Sequence, residues 1–300
     1  MARILVGMTN ENFLTVGVDG STTSDIALGW AAREADRRGS RLVVVHACSV
    51  PTFAGEFGAG LVYPLVDLDA LREEDEVAVD RQIETIRTAY PMLAIDKVVE
   101  IGGAVSTLVD TARDGELSVV GSRGAGSVAA MFLGSIAHGV AHRSTCPAVL
   151  VPECDLQPAI GRIVVGTDGS PAAAAAVRWA QREAVLWDAE LVLAHVWEYP
   201  YPVDVQRSVG TAELMERDAQ ELLANAATGT DAQIRVPDKL QVRLMRGAPA
   251  PALIDEAAGA DLLVVGARGR GAIRSALLGS TSSYAIHHAR CPVVIVHPGP

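Results

Sequence analysis

The sequence contains no uninterrupted apolar stretch approaching the roughly 20 residues that span a bilayer, so no membrane-crossing helix is expected. The opening segment, Met1 to Met8, is too short for the apolar region of a secretory signal and runs into Thr9, Asn10, Glu11 and Asn12. A cytoplasmic protein is the expectation. The four cysteines, Cys48, Cys146, Cys154 and Cys291, include no C-x-x-C pair, and Cys146 and Cys291 each precede a proline. That pattern reads as reduced, mostly buried thiols and not as a disulfide framework. Excess positive charge is missing too. A net charge of −11 argues against nucleic acid or an anionic membrane as the main partner, because phosphates attract clustered Lys and Arg. No G-x4-G-K-[ST] occurs, which excludes a P-loop ATPase at motif level. The string DGSTTSD at Asp19 lacks the leading Ser-Gly-Gly of a pyrophosphate loop, and a carboxylate there would repel a pyrophosphate.

What is present is a repeat. Leu262 to Val265 is an aliphatic run of the kind that suits a strand buried on both faces, followed by Gly266, Arg268, Gly269, nine intervening residues, then Gly279, Ser280 and Thr281. Leu117 to Val120 precedes the same pattern: Gly121, Arg123, Gly124, nine residues, Gly134 and Ser135. Each reads as a strand, a glycine loop and a helix, with Ser280 as a candidate N-cap. A helix N-terminus behind such a loop offers unpaired N–H groups and a positive dipole end, both of which favour a phosphate. Two copies at one offset carry far more weight than one.

The rest of the chain repeats with them. Leu14 to Asp19 and Ile163 to Asp168 read as first strands, each ending Asp-Gly-Ser, and Trp30, His46, Trp179 and His195 keep the same spacing within their halves. Each half alternates five strands with four helices, which implies a parallel sheet with crossover helices. The fold class is α/β: two tandem, doubly wound, Rossmann-like domains, each a five-stranded parallel sheet flanked by helices. The domains are residues 1–152 and 162–300, joined by a Pro-containing linker at 153–161. The third strands are expected at Lys97 to Ile101 and Leu240 to Leu244. Met1 to Phe13 has no counterpart in the second half, and the loops Val50 to Val66 and Glu198 to Gly210 differ in sequence. Ligands in such sheets bind beyond the C-terminal strand ends, where strand order reverses. If the first and fourth strands are neighbours there, Asp19 meets the Gly121 loop and Asp168 the Gly266 loop.

With these residues assembled, the chain resembles a tandem universal stress protein of the ATP-binding type. The motif G-x2-G-x9-G-[ST] is matched twice, alongside VGVDGS and VGTDGS, the strand histidines and the Cys-Pro strands. The resemblance implies ATP held without a Walker lysine, with Mg²⁺ on its phosphates, and pairing of the last strands between domains. It implies that Asp19 and Asp168 contact the adenosine end and that Ala47 and Val196 meet adenine through backbone groups. Gly121, Gly124, Gly134 and Ser135, and Gly266, Gly269, Gly279, Ser280 and Thr281, would hold ribose and phosphates. Arg123 and Arg268 are either phosphate clamps or solvated side chains.

Blander readings stand beside these. Asp starts turns well, a glycine loop can be only a connector, and His46 and His195 fit a core or rim position. His287 and His288 are neighbours on a helix, about 100° apart around its axis, so they do not readily share a metal. No metal-ligand cluster or general base is evident beside the loops. Three functions follow. The first is a nucleotide-dependent regulator in stress response or growth arrest, either a homo-oligomer or an intra-chain pseudo-dimer, with its protein partner open. The second is a slow ATP-hydrolysing or adenylyl-transferring enzyme. The third is a dimerisation scaffold that binds no nucleotide. The second loop carries Arg268, Arg270 and Arg274, the first only Arg123, with Ala125, Ser127 and Ala129 nearby.

Overall fold

Where the aliphatic runs fall decides the architecture. The structure, a computed structural model, describes residues 12–48, 53–54, 61–62, 67–124, 133–198, 209–228, 235–270 and 278–298. In the first repeat the elements are β1 (Phe13–Gly17), α1 (Thr22–Arg38), β2 (Arg41–Cys48), β3 (Phe53–Ala54), β4 (Leu61–Val62), α2 (Leu68–Ala89), β5 (Ile95–Ile101), α3 (Ala104–Thr111), β6 (Leu117–Gly121), α4 (Ser135–Arg143) and β7 (Ala148–Val151). The second has β8 (Arg162–Gly166), α5 (Pro171–Trp187), β9 (Glu190–Trp197), α6 (Val209–Thr228), β10 (Leu240–Arg246), α7 (Pro249–Glu256), β11 (Leu262–Gly266), α8 (Ser280–His288) and β12 (Val293–Val296). The first eleven residues of the N-terminal extension, most of the two long loops, and Arg274, Ala125, Ser127 and Ala129 lie outside the described residues. Within the first long loop, β3 and β4 pair antiparallel.

The chain forms two compact units, one ending at Cys146 and the other including everything from Pro147 onward. In the first, parallel strands run in the order β6-β1-β2-β5. In the second the order is β10-β9-β8-β11-β12, also parallel. Registers correspond: Leu14 faces Leu42 and Leu117, and Ile163 faces Leu191 and Leu262. Strands covered on both faces must be aliphatic throughout, and Leu14, Val16, Leu42, Leu117, Ile163, Leu191 and Leu262 have no exposed surface. β5 and β10 are more polar and largely exposed. β5 begins at Ile95, earlier than expected, because the polar pair Asp96 and Lys97 is held in the strand by Arg41 (2.8 Å) and Asp80 (2.7 Å). α1 contacts α2, and α3 contacts α4, as right-handed crossovers that reverse direction after the third strand require.

Helix ends follow local chemistry. Ser21 and Ser170 cap α1 and α5, accepting the Ser24 and Ala173 N–H groups. α1 stops at Gly39, with φ 66°. The equivalent C-cap of α5 is Asp188, at φ 53°, a left-handed conformation that Asp tolerates better than most residues. Lys239 bonds both the Asp188 carbonyl and its carboxylate, and that contact holds the carboxyl below its usual pKa.

The last strand of the first repeat lies in the second unit. β7 pairs antiparallel with β12, with Leu150 opposite Val293, Val149 opposite Val294 and Ala148 opposite Ile295. Val149 and Val294 are equivalent positions, so the register maps onto itself when the repeats are exchanged. The pairing expected between last strands is thus made within one chain, and β12 has a neighbour on each side. An aliphatic edge would otherwise be open to association. Leu150→Ala should destabilise by about 2–5 kcal/mol, as is typical of buried Leu truncation. Hydrogen exchange should locate the loss in β12 and β11, with β1 and β2 keeping their protection.

Candidate functional site

Parallel strands β8 and β11 lie side by side while the chain leaves them in opposite directions, which opens a crevice at their C-terminal ends. β8 ends in a turn through Gly169, at φ 76°, where a side chain would be strained. The Asp168 carboxylate ties this turn to the glycine loop: Oδ1 accepts the Ser170 N–H (2.9 Å) and Oδ2 the Arg270 N–H (2.9 Å). Gly269 permits the approach, since a Cβ there would sit 2.6 Å from Asp168 Oδ2. The first repeat matches it. Asp19 Oδ1 accepts the Ser21 N–H (3.0 Å), and a Cβ on Gly124 would sit 2.7 Å from Asp19 Oδ2. The turn-forming role considered for these aspartates is therefore real, and it coexists with contact to the loop.

A second tie is made by hydroxyls that the sequence did not single out. Ser170 Oγ donates to the Arg268 carbonyl (3.1 Å) and Thr23 Oγ1 to the Arg123 carbonyl (2.6 Å). These are not equivalent positions, so comparing the repeats by spacing misses them. Gly121 and Gly266 serve packing first. A Cβ on Gly266 would meet Ala172 C and Ala173 N at 2.7 Å, and one on Gly121 would meet Thr23 C and O at 2.9 Å. The strand end passes against the helix backbone there, and only hydrogen fits.

Ser280 is not the N-cap. Gly279 caps α8 and Gly134 caps α4, neither with a side-chain hydrogen bond, and Ser280 and Ser135 are the first helical residues. The reason is a backbone clasp: the Gly279 N–H donates to Ala267 O and the Gly134 N–H to Ser122 O, both at 2.8 Å, so the glycine takes the cap position. Without a capping side chain, the first-turn N–H groups face outward. A Cβ on Gly279 would lie 3.4 Å from the Gly269 nitrogen, so glycine also keeps that N–H approachable.

These groups converge on a cavity of about 530 Å³ in the second unit, within the range of small-molecule sites. Gly266, Arg268 and Gly269 line one side and Gly279, Ser280 and Thr281 another. Asp168 and Val196 complete the set expected from the sequence. Pro249 and Leu253 add an apolar wall. Arg270 also lines the cavity, its Nη2 lying 2.5 Å from where a Gly169 Cβ would be. His195 donates from Nδ1 to the Thr167 carbonyl (2.6 Å), holding the residue before Asp168. Neutral His195 therefore has its lone pair on Nε2.

In the first unit the expected residues keep the same order. Asp19 follows β1, Ala47 lies in β2, Gly121, Arg123 and Gly124 leave β6, and Gly134 and Ser135 open α4. His46 Nδ1 donates to Val18 O (2.8 Å), as His195 does to Thr167. Its Nε2 lies 3.3 Å from Asp75 Oδ2 on α2. Burial pushes the Cys48 thiol up to about 11, and its hydrogen bond to Asp75 adds to the rise. His46, Cys48 and Asp75 form a cluster that the sequence reading missed, because Asp75 comes from a distant helix. His287 and His288 each bond the carbonyl one turn back, and His288 stacks on Tyr284. All four cysteines are free thiols, and Cys48, Cys146 and Cys291 are buried.

The chain is similar to known proteins. A model of the universal stress protein family matches the chain twice, over residues 14–152 and 159–297. A universal stress protein of Mycolicibacterium smegmatis is 32% identical, over 98% of this chain and 100% of its own. One from Mycobacterium tuberculosis is also 32% identical, over 94% of this chain and 95% of its own. The solved structure of a universal stress protein from Archaeoglobus fulgidus matches with a TM-score of 0.62 over 97% of this chain and 100% of that one, at 19% identity, a likeness of fold.

If the carboxylate is the tie described, Asp168→Ala should speed hydrogen exchange at the Arg270 amide by the equivalent of about 1.5–3 kcal/mol, typical of a hydrogen bond to a charged group. Exchange in β8 and β11 should be unchanged. Unaltered exchange at Arg270 would show that the loop holds its shape without Asp168.

Proposed function

This chain belongs to the universal stress protein family, and we propose that each repeat binds an adenine nucleotide, ATP with Mg²⁺ on its phosphates, and acts as a nucleotide-dependent regulator in the cytoplasm. One observation carries the reading: the cavity between β8 and β11 opens onto the N-terminus of α8, where Gly279 caps the helix without a side chain. A phosphate suits that place, since N–H donors and a positive dipole end meet it with little side-chain bulk. Gly269, Gly279, Ser280 and Thr281 would hold phosphates, with Arg268 and Arg270 adding positive charge. The backbone at Val196 would meet the base. Asp168 would serve the adenosine end, since each carboxylate oxygen keeps acceptor capacity beyond the one N–H it receives. Asp19, Ala47, Arg123, Gly124, Gly134 and Ser135 take the corresponding roles in the first repeat.

Binding is favoured over turnover by how the titratable groups are engaged. The Asp168 carboxylate accepts two backbone N–H groups, and His195 Nδ1 is committed to Thr167 O. Both are positioned as parts of the scaffold. Nucleotide occupancy would then bias the loop and the start of α8, which lie at the surface available to partners. Because β12 is already paired on both sides, self-association through that strand forms no part of this reading.

Mass spectrometry of small molecules released from freshly purified, denatured protein should find ATP or ADP. Protein that elutes free of nucleotide and shows no thermal shift with ATP would instead favour a scaffold. Steady ADP production, abolished by Gly269→Val, would favour the slow enzyme.

The two sites should also differ. Arg268 and Arg270 line the second cavity, while position 125, the counterpart of Arg270, is alanine. Calorimetric titration of ATP into Gly124→Val and Gly269→Val variants should show the intact second site binding more tightly at low salt. The gap should narrow as salt shortens the Debye length to about 10 Å at 0.1 M. Equal affinities and equal salt slopes would remove the asymmetry.

A further inference from the structure

In β2, His46 and Cys48 are two residues apart and so share one face of the strand, and α2 brings Asp75 onto that face. One ligand atom from each of His46, Cys48 and Asp75 (a ring nitrogen, Sγ and a carboxylate oxygen) lies within 4.8 Å of the other two. The His46 to Asp75 distance of 3.3 Å is about the edge expected between N and O ligands each ~2.0–2.1 Å from a tetrahedral zinc. Cys48 is 1% exposed, while the side chains of His46 and Asp75 are 18% and 27% exposed. A thiol is thus shielded from oxidants while the other two donors face a path from solvent.

The tautomer of His46 is the second observation. A carbonyl can only accept, so the 2.8 Å contact with Val18 O places a proton on Nδ1. Neutral His46 then aims the Nε2 lone pair at the Asp75 carboxylate. Two such atoms at that distance are joined either by a proton on Nε2 or by a metal cation, and the Cys48 thiol beside them is a third ligand that only a metal would use. The same outer hydrogen bond that fixes a ligating imidazole in metal sites is already made. Arg72 of α2 acts on the Cys48 thiol, and Lys97 faces the same helix. Arg72 is bonded to Glu76 (3.0 Å) and Lys97 to Asp80 (2.7 Å), so each has a carboxylate other than Asp75.

We propose that His46, Cys48 and Asp75 form a site for a Zn²⁺-class divalent cation, with a fourth position for water. N, S and O donors together suit zinc, whereas magnesium and calcium take oxygen. On binding, the Cys48 S–H bond gives way to an S–metal bond and the proton leaves to solvent. The cation would clip α2 to the C-terminal end of β2, next to Ala47. The second repeat does not share it: His195 is present, but Trp197 stands where Cys48 stands in the first, with the Arg246 guanidinium 5.6 Å from its ring. This inference does not depend on the nucleotide reading.

Full-length protein stripped with a chelator and titrated with Co²⁺ tests it, because cobalt bonded to thiolate has a sulfur-to-metal charge-transfer band that phosphate or carboxylate sites lack. One equivalent per chain should produce the band, and Zn²⁺ should abolish it. Cys48→Ser should eliminate the band while circular dichroism stays native. Asp75→Asn, at a less buried position, should weaken binding at least as much as losing an outer partner does, about 10–100-fold. His195→Gln should leave the titration unchanged. Absence of the band at saturating Co²⁺ would overturn the proposal, as would its survival in folded Cys48→Ser. Cobalt uptake without the band, removed by His138→Gln, would place the metal on the α4 pair His138 and His142 (Nε2 to Nε2, 2.9 Å) and would overturn it equally.

Discussion

A carboxylate at the end of the first strand lies against the glycine loop in each repeat, and in the second it bonds two backbone N–H groups. In the second repeat Asp168 reaches from the end of β8 to Ser170 on one side and Arg270 on the other. The loop is thereby set relative to the sheet, and the loop sets where α8 begins, because the Gly279 N–H closes onto Ala267 O. Glycine at 269 is a consequence of the carboxylate, since any Cβ would displace it. An asparagine could offer one oxygen but would place an NH₂ against the other N–H. Turn, loop and helix start are therefore linked through one side chain of the right charge and length, with the Ser170 hydroxyl as a second tie.

Around this shared frame the repeats have diverged in detail. Thr23 does in one what Ser170 does in the other, and Gly39 and Asp188 end equivalent helices by different means. Ser282 bonds both Ala267 O and Gly279 O, while the equivalent Ala137 has no hydroxyl. Cys48 faces Asp75 in one repeat, and Trp197 carries Arg246 in the other. These differences give one chain two repeats of a common backbone frame with unequal side-chain chemistry. The frame is conserved because it is made by backbone bonds and glycines, and side chains outside it are free to vary.

The fold was legible because its signals are periodic and local. Continuous aliphatic runs mark buried parallel strands, Ser and Gly mark the ends of α1, and the repeated offset marks the duplication. The meeting of Asp168 with the glycine loop was legible as well, once the first and fourth strands were taken as neighbours. The cap of α8 was misread because serine is the better capping residue in isolation, whereas a backbone clasp gives the position to Gly279. The helix backbone that presses on Gly121 and Gly266, a second reason for glycine there, is visible only in three dimensions. Asp75 lies on a helix rich in acidic residues, and nothing in its neighbourhood in sequence points to His46.

That each of the two repeats is a nucleotide site is tested most directly by counting ATP bound per chain at saturation, by equilibrium dialysis of nucleotide-stripped full-length protein with Mg²⁺ present. Two equivalents are expected, because both repeats set an aspartate against a glycine of the loop and start the following helix on a glycine cap. A plateau at one equivalent or below would contradict the account.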